Sequence, residues 1–560
     1  MIRRYVIRWY LHVLAIVGVV LIHVGCAGFY VTGAAGTVSE EKRPKVFIVM
    51  IDALKSGVLM ESLASLPHFN AIIRGEDGNY PFINFQNVLT SIPTLTRPSE
   101  ATILTGVYPL KHGIVSSIWF DRRQVKIVYP LSLNQTRVVK ILEKTGTDTI
   151  FDYARKSGKT AMATTTQVAK GLDDGVWVRQ SAVLWGGAFF SNLFLRGHAI
   201  PDGAYVDRGT TQGLLRGYLS NPSDGLEGHL RSEGDIPDLI VLYYAGLDIA
   251  THYPRRFKED AVWSIDEIQR WYLAHVLDPE IGKVTAFLKK EGLFENTVFV
   301  FISDHGQTKI ETRIDDEDFT RRIGNTVCAT YCSFDHDLKI AGRGYSPEEA
   351  NIVILPGAAT KAIHVKNRQN GDWLSPPRLC KDVKPVVDRL IEDRDMRRYL
   401  NFLLVASYLG ERFEGKEEVD AFWVFDIQEY RQSARGTADF IFALKPLSML
   451  DEVEGESLRV PFMYRRNYTR DTKPDIILVN KPSCFFVPND EIYGHQGSFY
   501  REDAVVSMII SGPAVHRFSS RPQTILRQID TVDVVPTVAN LADITIDRTI
   551  DGKNRLSEVK

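Results

Sequence analysis

Three runs in this chain share one grammar. Lys45-Val-Phe-Ile-Val-Met-Ile51 ends in Asp52, and Asp238-Leu-Ile-Val-Leu-Tyr-Tyr244 leads into Asp248 and His252. Asn296-Thr-Val-Phe-Val-Phe-Ile302 ends in Ser303-Asp304-His305-Gly306. A continuous apolar run of this length, closed by charged and turn residues, is a strand buried on both faces, as in a parallel sheet. Between the second and third runs, Ile265, Ile268, Leu273, Val276, Ile281, Val284 and Leu288 recur at helical spacing. Strand, helix, strand predicts an α/β fold with a mostly parallel central sheet and helices on both faces. Ligands bind such sheets beyond the carboxyl ends of the strands. Here each run delivers an acid, or an acid and a histidine, to that edge.

Further elements follow in order. Residues 62–74 and 150–160 have helical pattern, Ala161-Met-Ala-Thr164 is strand-like, and Ala504–Ile510 is another buried strand. The tail from Ile529 predicts a proline-started helix covering the sheet. Residues 171–233 are rich in Gly, Trp and Asp and predict a loop-rich wall over the site. Residues 311–484, with a charged helical stretch from Val383 to Leu409, are too long for a connection and predict an inserted lobe. The catalytic domain is then 45–310 resumed at 485–560, after a leader and linker at 1–44.

That leader carries Arg3, Arg4 and Arg8 before an apolar stretch from Leu11 to Val31. A charged start and short apolar middle predict an export signal or a single membrane anchor, with the remainder outside the cytoplasm. Gly25-Cys26 also resembles the end of a bacterial lipoprotein cleavage site, although His23 departs from the aliphatic residue usual there. Secreted, periplasmic, lipidated and anchored forms all stay open. A net charge of −2 argues against a general electrostatic grip on nucleic acid, so no specific nucleic-acid binding is expected. Five cysteines in 560 residues do not make a disulfide scaffold; Cys328 and Cys332 are either a local bridge or two thiols.

A hydroxyl-rich stretch, Pro93-Thr-Leu-Thr96-Arg-Pro-Ser-Glu-Ala-Thr-Ile-Leu-Thr-Gly106, precedes Val107-Tyr-Pro-Leu-Lys-His-Gly113. Ala101–Thr105 predicts a short helix closed by Gly106. Thr96 then lies in the turn before it, where free N–H groups suit an anion. A hydroxyl is a poor nucleophile at neutral pH unless a base or metal lowers its pKa.

Asp52, Asp248, His252, Asp304, His305 and His495, the last within Gly494-His-Gln-Gly497, form one candidate ligand set. Converging carboxylates repel, and a divalent cation resolves that. Mixed His/Asp ligation suits Zn²⁺, with Mn²⁺ and Fe²⁺ as alternatives. Six ligands plus Thr96 exceed one tetrahedral ion but divide between two, an arrangement that serves in-line displacement at phosphorus.

In order along the chain, these motifs resemble the alkaline phosphatase superfamily, and within it the type I phosphodiesterase/nucleotide pyrophosphatase branch. They are Asp52 after a strand, T-x-T-R-P-S with T-G-V-Y-P-x-x-H-G, D-x-x-x-H, S-D-H-G and G-H-x-G, with D-x-V-P-T and I-D-G-K in the tail. The resemblance covers residues 44–310 and 485–556. It implies an alkaline-phosphatase-like fold, Thr96 as nucleophile, and two metals. One would take Asp52, Asp304, His305 and the Thr96 oxygen, the other Asp248, His252 and His495. The implied reaction forms a phosphothreonyl enzyme that hydroxide then releases.

Relatives of this branch carry an Asn shortly after the H-G pair; here Ser117 stands at that position as the candidate phosphate donor. Arg97 either adds a charge-assisted phosphate contact or covers the surface. Sulfatase relatives need Cys or Ser as nucleophile and an arginine four residues on, which Thr96 and Glu100 do not provide. A phosphate ester is therefore the expected substrate. The alternatives are transfer of a phospho-group to a lipid or glycan hydroxyl, phosphomonoester hydrolysis, and an extracellular binding protein without activity.

Overall fold

The structure, a computed structural model, describes residues 43–128, 136–172, 177–178, 202–219, 236–254, 263–316, 318–322, 346–407, 422–447, 467–487 and 492–559. The predicted export segment, Cys26, Cys328, Cys332 and most of the predicted 171–233 wall lie outside these residues. No helix among the described residues is long and apolar enough to cross a membrane.

Along the first strand, β1 (Lys45–Ile51), side chains alternate between two cores. Val46, Ile48 and Met50 enter one, and Phe47, Val49 and Ile51 the other. Neither face meets water, which is why the run shows no polar alternation. The same division holds for β5 (Leu239–Tyr244) and β6 (Thr297–Ile302). The remaining strands of this sheet are β2 (Ile83–Leu89), β3 (Ala161–Thr164), β4 (Trp177–Val178), β7 (Val505–Ser511), β8 (Gln523–Ile525) and β9 (Ile529–Asp530). Their order is β8-β2-β7-β6-β1-β5-β3-β4, with β9 also beside β2. Every pair is parallel except those made by β7, which runs against both β2 and β6.

Helices cover both faces, as expected. One face receives α1 (Thr96–Thr105), α2 (Ile150–Lys156) and the tail helix Val534–Ala542, through residues such as Ile103, Leu104, Phe151, Val535 and Val538. The other receives α3 (Asp202–Leu219) and a long segment that includes α4 (Ile265–Tyr272) and α5 (Asp278–Lys290).

A second sheet of six strands is built wholly within residues 352–480, in the order 352–355, 360–365, 476–480, 400–406, 422–425, 444–445, all antiparallel. One of its faces packs on the helix Lys384–Glu392 through Leu403, Val405 and Leu478. The other face sets Phe402, Leu404, Ile477 and Val479 against Leu89, Ile92, Tyr108 and Val505 of the central domain. The inserted part is therefore seated on the first sheet by its own apolar face.

Four local expectations are corrected. The helix α1 begins at Thr96 rather than Ala101, because Pro98 falls in its first turn, where no N–H is needed. Residues 202–219, read as part of a loop-rich wall, contain an 18-residue helix. The predicted helix to Leu409 stops early, since Leu400–Ala406 is a strand buried along its length apart from Asn401. The tail helix starts at Val534, with Pro536 inside its first turn, while Ile529–Asp530 pairs with β2.

Candidate active site

Register brings the acids together. Ile51 sits beside Tyr244, and Met50 beside both Tyr243 and Ile302, so β1, β5 and β6 end level. Asp52 and Ser303-Asp304-His305 are the next residues off their strands. Asp304 Oδ1 accepts the N–H groups of Ala53 at 3.3 Å and His305 at 3.0 Å. His305 Nε2 lies 3.4 Å from Asp52 Oδ1, 3.5 Å from Asp304 Oδ2 and 3.2 Å from Thr96 Oγ1. Asp52, Asp304 and His305 each offer a ligand atom within 4.8 Å of the others.

Thr96 arrives from the first turn of α1, whose capping residue Leu95 leaves the leading N–H groups without a side-chain partner. Gly106 closes that helix at φ 69°, where a Cβ would press on Val535 and Ile550. Gly306 is required for a different reason. A Cβ there would stand 1.9 Å from the Glu502 carbonyl, and its N–H donates to the Asp503 carbonyl at 2.8 Å.

The second trio also assembles. Asp248 and His252 lie on one face of a helix, Gly246–His252, and His252 Nε2 is 3.2 Å from Asp248 Oδ1. The His252 and His495 rings meet edge to face at 4.9 Å, and Phe485 stacks on His495 at 5.8 Å. His305 Nδ1 and His252 Nδ1 face the carbonyls of Gly306 and Gly494 at 2.9 and 2.6 Å. That fixes the proton on Nδ1 and turns the Nε2 lone pair inward, as a metal ligand requires. His495 differs, since its Nδ1 accepts the Gln496 N–H at 3.0 Å.

The electrostatics of this cluster call for a cation. Burial, then Asp304 and Asp248, push the Asp52 carboxyl well above its ordinary range. Burial and Asp248 push Asp304 up to about 7. Burial, reinforced by His252, holds His495 down at about 3, so the ring is neutral. Asp52 Oδ1 is buried without any hydrogen-bond partner. Three acids, three imidazoles and an orphaned carboxylate oxygen fit divalent metal.

Ser117 is half-buried and makes no hydrogen bond to the cluster among the described residues. Arg97 is half-buried too, and its Nη1 is fully buried without a partner, so it does not merely cover the surface. Sequence reasoning missed Tyr243, whose hydroxyl donates to Asp52 Oδ2 at 2.5 Å and lies 3.4 Å from Asp304 Oδ2. It also missed Ser303, which accepts the Leu54 N–H at 3.0 Å and donates to the His305 carbonyl at 2.7 Å. Gln307 was missed as well; its Nε2 donates to Asp248 Oδ1 at 3.2 Å. Only the places of Ser303 and Gln307, flanking Asp304-His305-Gly306, offered a signal. A cavity of about 390 Å³ opens beyond Gln307 and Ser498, lined also by Lys55, Lys309 and Lys481.

The sequence profile of the type I phosphodiesterase / nucleotide pyrophosphatase family matches residues 46–424. The chain belongs to this family. The match takes in Asp52, Thr96, Asp248, His252, Asp304 and His305 and stops short of His495. An uncharacterized pyrophosphatase/phosphodiesterase of Schizosaccharomyces pombe is 22% identical over 271 residues, 47% of this chain and 44% of that protein. The aligned region thus spans less than half of this curated relative. Murine ectonucleotide pyrophosphatase/phosphodiesterase 5 has a similar fold, with TM-score 0.52 and 13% identity over 91% of this chain and 97% of its own. The human protein of the same name gives 0.52 and 14% over 92% and 99%. An inactive form of the murine phosphodiesterase in complex with AMP gives 0.51 and 14% over 91% and 97%. At these identities the likeness of this family member to solved structures is one of fold.

Proposed function

We propose that this protein hydrolyses phosphate diesters or pyrophosphate bonds outside the cytoplasm, with Thr96 as the nucleophile. The observation that carries the reading is the 3.2 Å approach of Thr96 Oγ1 to His305 Nε2, inside a buried cluster of acids and imidazoles. Family membership supports the reaction class, and the charged start of residues 1–44 supports export.

Asp52, Asp304 and His305, with Thr96, would hold one divalent ion, and Asp248, His252 and His495 a second; zinc fits both donor sets. When bound, such ions lower the pKa of attacking oxygens and offset charge on the phosphoryl oxygens and the leaving group. The protein's part is positional. The first turn of α1 holds Thr96 in line with the cluster, and its free N–H groups favour a phosphoryl anion. Tyr243 holds Asp52 and Asp304 in place, and Gln307 orients Asp248. Thr96 Oγ forms a bond to phosphorus as the bond to the leaving oxygen breaks, and water then cleaves the phosphothreonine. The second sheet, folded entirely from residues 352–480, supports the division into a catalytic domain at 45–310 and 485–560 and an inserted lobe at 311–484.

Thr96→Ala tests the reading on bis-p-nitrophenyl phosphate with the zinc-loaded full chain. Diester cleavage is expected to fall by at least ~10³, since the nucleophile itself is removed. Cleavage retained in that variant sinks the nucleophile assignment. Labelled water appearing in the released phosphate separates hydrolysis from transfer to an alcohol.

A further inference from the structure

We propose that Thr94 is a positioning residue that clasps the turn carrying Thr96 to the loop carrying His495, so that one contact sets both the nucleophile and the second ligand trio; the inference rests on the Thr96 reading above. Thr94 is buried and precedes α1. Its hydroxyl donates to the Ser498 carbonyl at 2.6 Å and accepts the Gly497 N–H at 3.0 Å. A hydroxyl can donate and accept at once, and Thr94 does both across the gap between two loops. Leu95 alone separates Thr94 from Thr96, and Gln496 alone separates Gly497 from His495. A shift at the clasp therefore reaches both functional side chains with little chain between to absorb it.

The backbone around the clasp is tight. The Leu95 N–H donates back to the Pro93 carbonyl at 2.9 Å, which closes the turn around Thr94. Gly497 is held at φ 108°, and a Cβ there would already touch Leu95 Cδ2 at 3.4 Å. The two loops thus meet through packing as well as through the hydroxyl.

The same contact continues to the first ligand trio. The Ser498 N–H and hydroxyl both donate to Asp503 Oδ2, at 3.1 and 2.6 Å. Asp503 is buried, its Oδ1 accepts the Thr308 hydroxyl at 2.6 Å, and its carbonyl accepts the Gly306 N–H at 2.8 Å. Gly306 follows His305, whose Nε2 stands 3.2 Å from Thr96 Oγ1. A chain of hydrogen bonds therefore runs from Thr94 through Ser498 and Asp503 to Gly306, and closes on the nucleophile from the far side. None of these four residues belongs to the ligand set. Without Thr94, Thr96 would be aimed by the first turn of α1, whose capping residue Leu95 makes no side-chain hydrogen bond. Helix ends held only by their own turn fray.

The experiment makes Thr94→Ala, which removes the hydroxyl, and Thr94→Ser, which keeps it, in the full-length protein with and without His495→Ala. Thr94→Val, which fills the space that alanine leaves, serves if Thr94→Ala does not fold. Zinc affinity is read by chelator competition, and kcat and KM are measured on bis-p-nitrophenyl phosphate with zinc saturating. Thr94→Ala is expected to weaken one of two zinc ions about 10- to 100-fold, since outer contacts orient metal ligands. In the His495→Ala background the same change should alter zinc binding by under about 3-fold, because the ion that depends on Thr94 is already lost. Misalignment of Thr96 should lower kcat about 10- to 100-fold while KM stays within about 3-fold. Thr94→Ser should recover most of both losses. An equal loss of zinc affinity in the two backgrounds marks a general structural role and overturns the proposal. It is also overturned by an unchanged kcat, by a serine variant no better than alanine, or by a wild type that binds no second zinc. Failure of the Thr96 reading looks different: Thr96→Ala would keep its diester cleavage, while the dependence of zinc binding on Thr94 stood.

Discussion

Tyr243 donates its hydroxyl to Asp52 Oδ2 across 2.5 Å, although the two residues sit 191 positions apart in the chain. The contact follows from register. Tyr243 pairs with Met50 on the adjacent strand, and its side chain shares the sheet face of Val241 and Val46. The hydroxyl therefore reaches the carboxylate that follows β1. Tyr243→Phe removes the donor and leaves a buried carboxylate short of a hydrogen bond. The expected cost is about 1.5–3 kcal/mol in the metal-free protein, read from urea unfolding. Because outer partners orient metal ligands, zinc affinity should also fall about 10- to 100-fold in a chelator competition. An unchanged affinity would show that Tyr243 plays no part in holding Asp52.

Gly306 is held between the site and β7. Its N–H donates to the Asp503 carbonyl, and an added methyl would stand 1.9 Å from the Glu502 carbonyl oxygen. Backbone cannot yield as a side-chain tip can. Gly306→Ala is therefore expected to lose about 3 kcal/mol or more of stability and most activity, because His305 moves with the turn. Circular dichroism melting and diester hydrolysis read the two effects. Gly292→Ala is the comparison, since a methyl added to that glycine would meet nothing within 4 Å, although its φ of 67° adds some backbone strain. Equal stability losses in the two variants would mean that the Glu502 contact is not what demands glycine at position 306.

What the sequence disclosed, and what it did not, divides on physical grounds. Strands buried on both faces write themselves as unbroken apolar runs, so β1, β5 and β6 and the acids after them were legible. So were the second half of α1 and its glycine stop, while its start at Thr96 was not. Tyr243 was not, because a tyrosine in an apolar run reads as packing, and only register shows that its hydroxyl meets Asp52. Gln307 was hidden because its partner, Asp248, is 59 positions away. Leu400–Ala406 was read as helix because the charged, helical residues before it, 384–397, lend their period to the window. Arg97 could be identified as a neighbour of Thr96, while the lack of a partner for its Nη1 is visible only in three dimensions.

Asp207 links stability to pH away from the ligands themselves. It lies on α3, fully buried, and accepts the Gly246 N–H at 2.9 Å and the Tyr272 hydroxyl at 2.8 Å. Gly246 opens the helix that carries Asp248 and His252, so Asp207 anchors the start of that helix. Burial pushes its carboxyl up to about 7 from an ordinary 3.8, against the opposing pull of those two hydrogen bonds. Between these values the folded protein holds a proton that the unfolded chain has released. Stability therefore falls as pH rises from about 4 to about 7, by up to about 1.4 kcal/mol per pH unit from this group, and levels off above. Asp207→Asn keeps an oxygen for the Gly246 N–H and turns its amide toward the Tyr272 oxygen, with no charge to bury. The stability of Asp207→Asn relative to wild type is thus expected to climb between pH 5 and pH 7 and to change little from pH 7 to pH 8. Urea midpoints at these four pH values, 5, 6, 7 and 8, give the difference directly. Parallel profiles for the two proteins would show that Asp207 is already ionised in the folded state, held so by Gly246 and Tyr272.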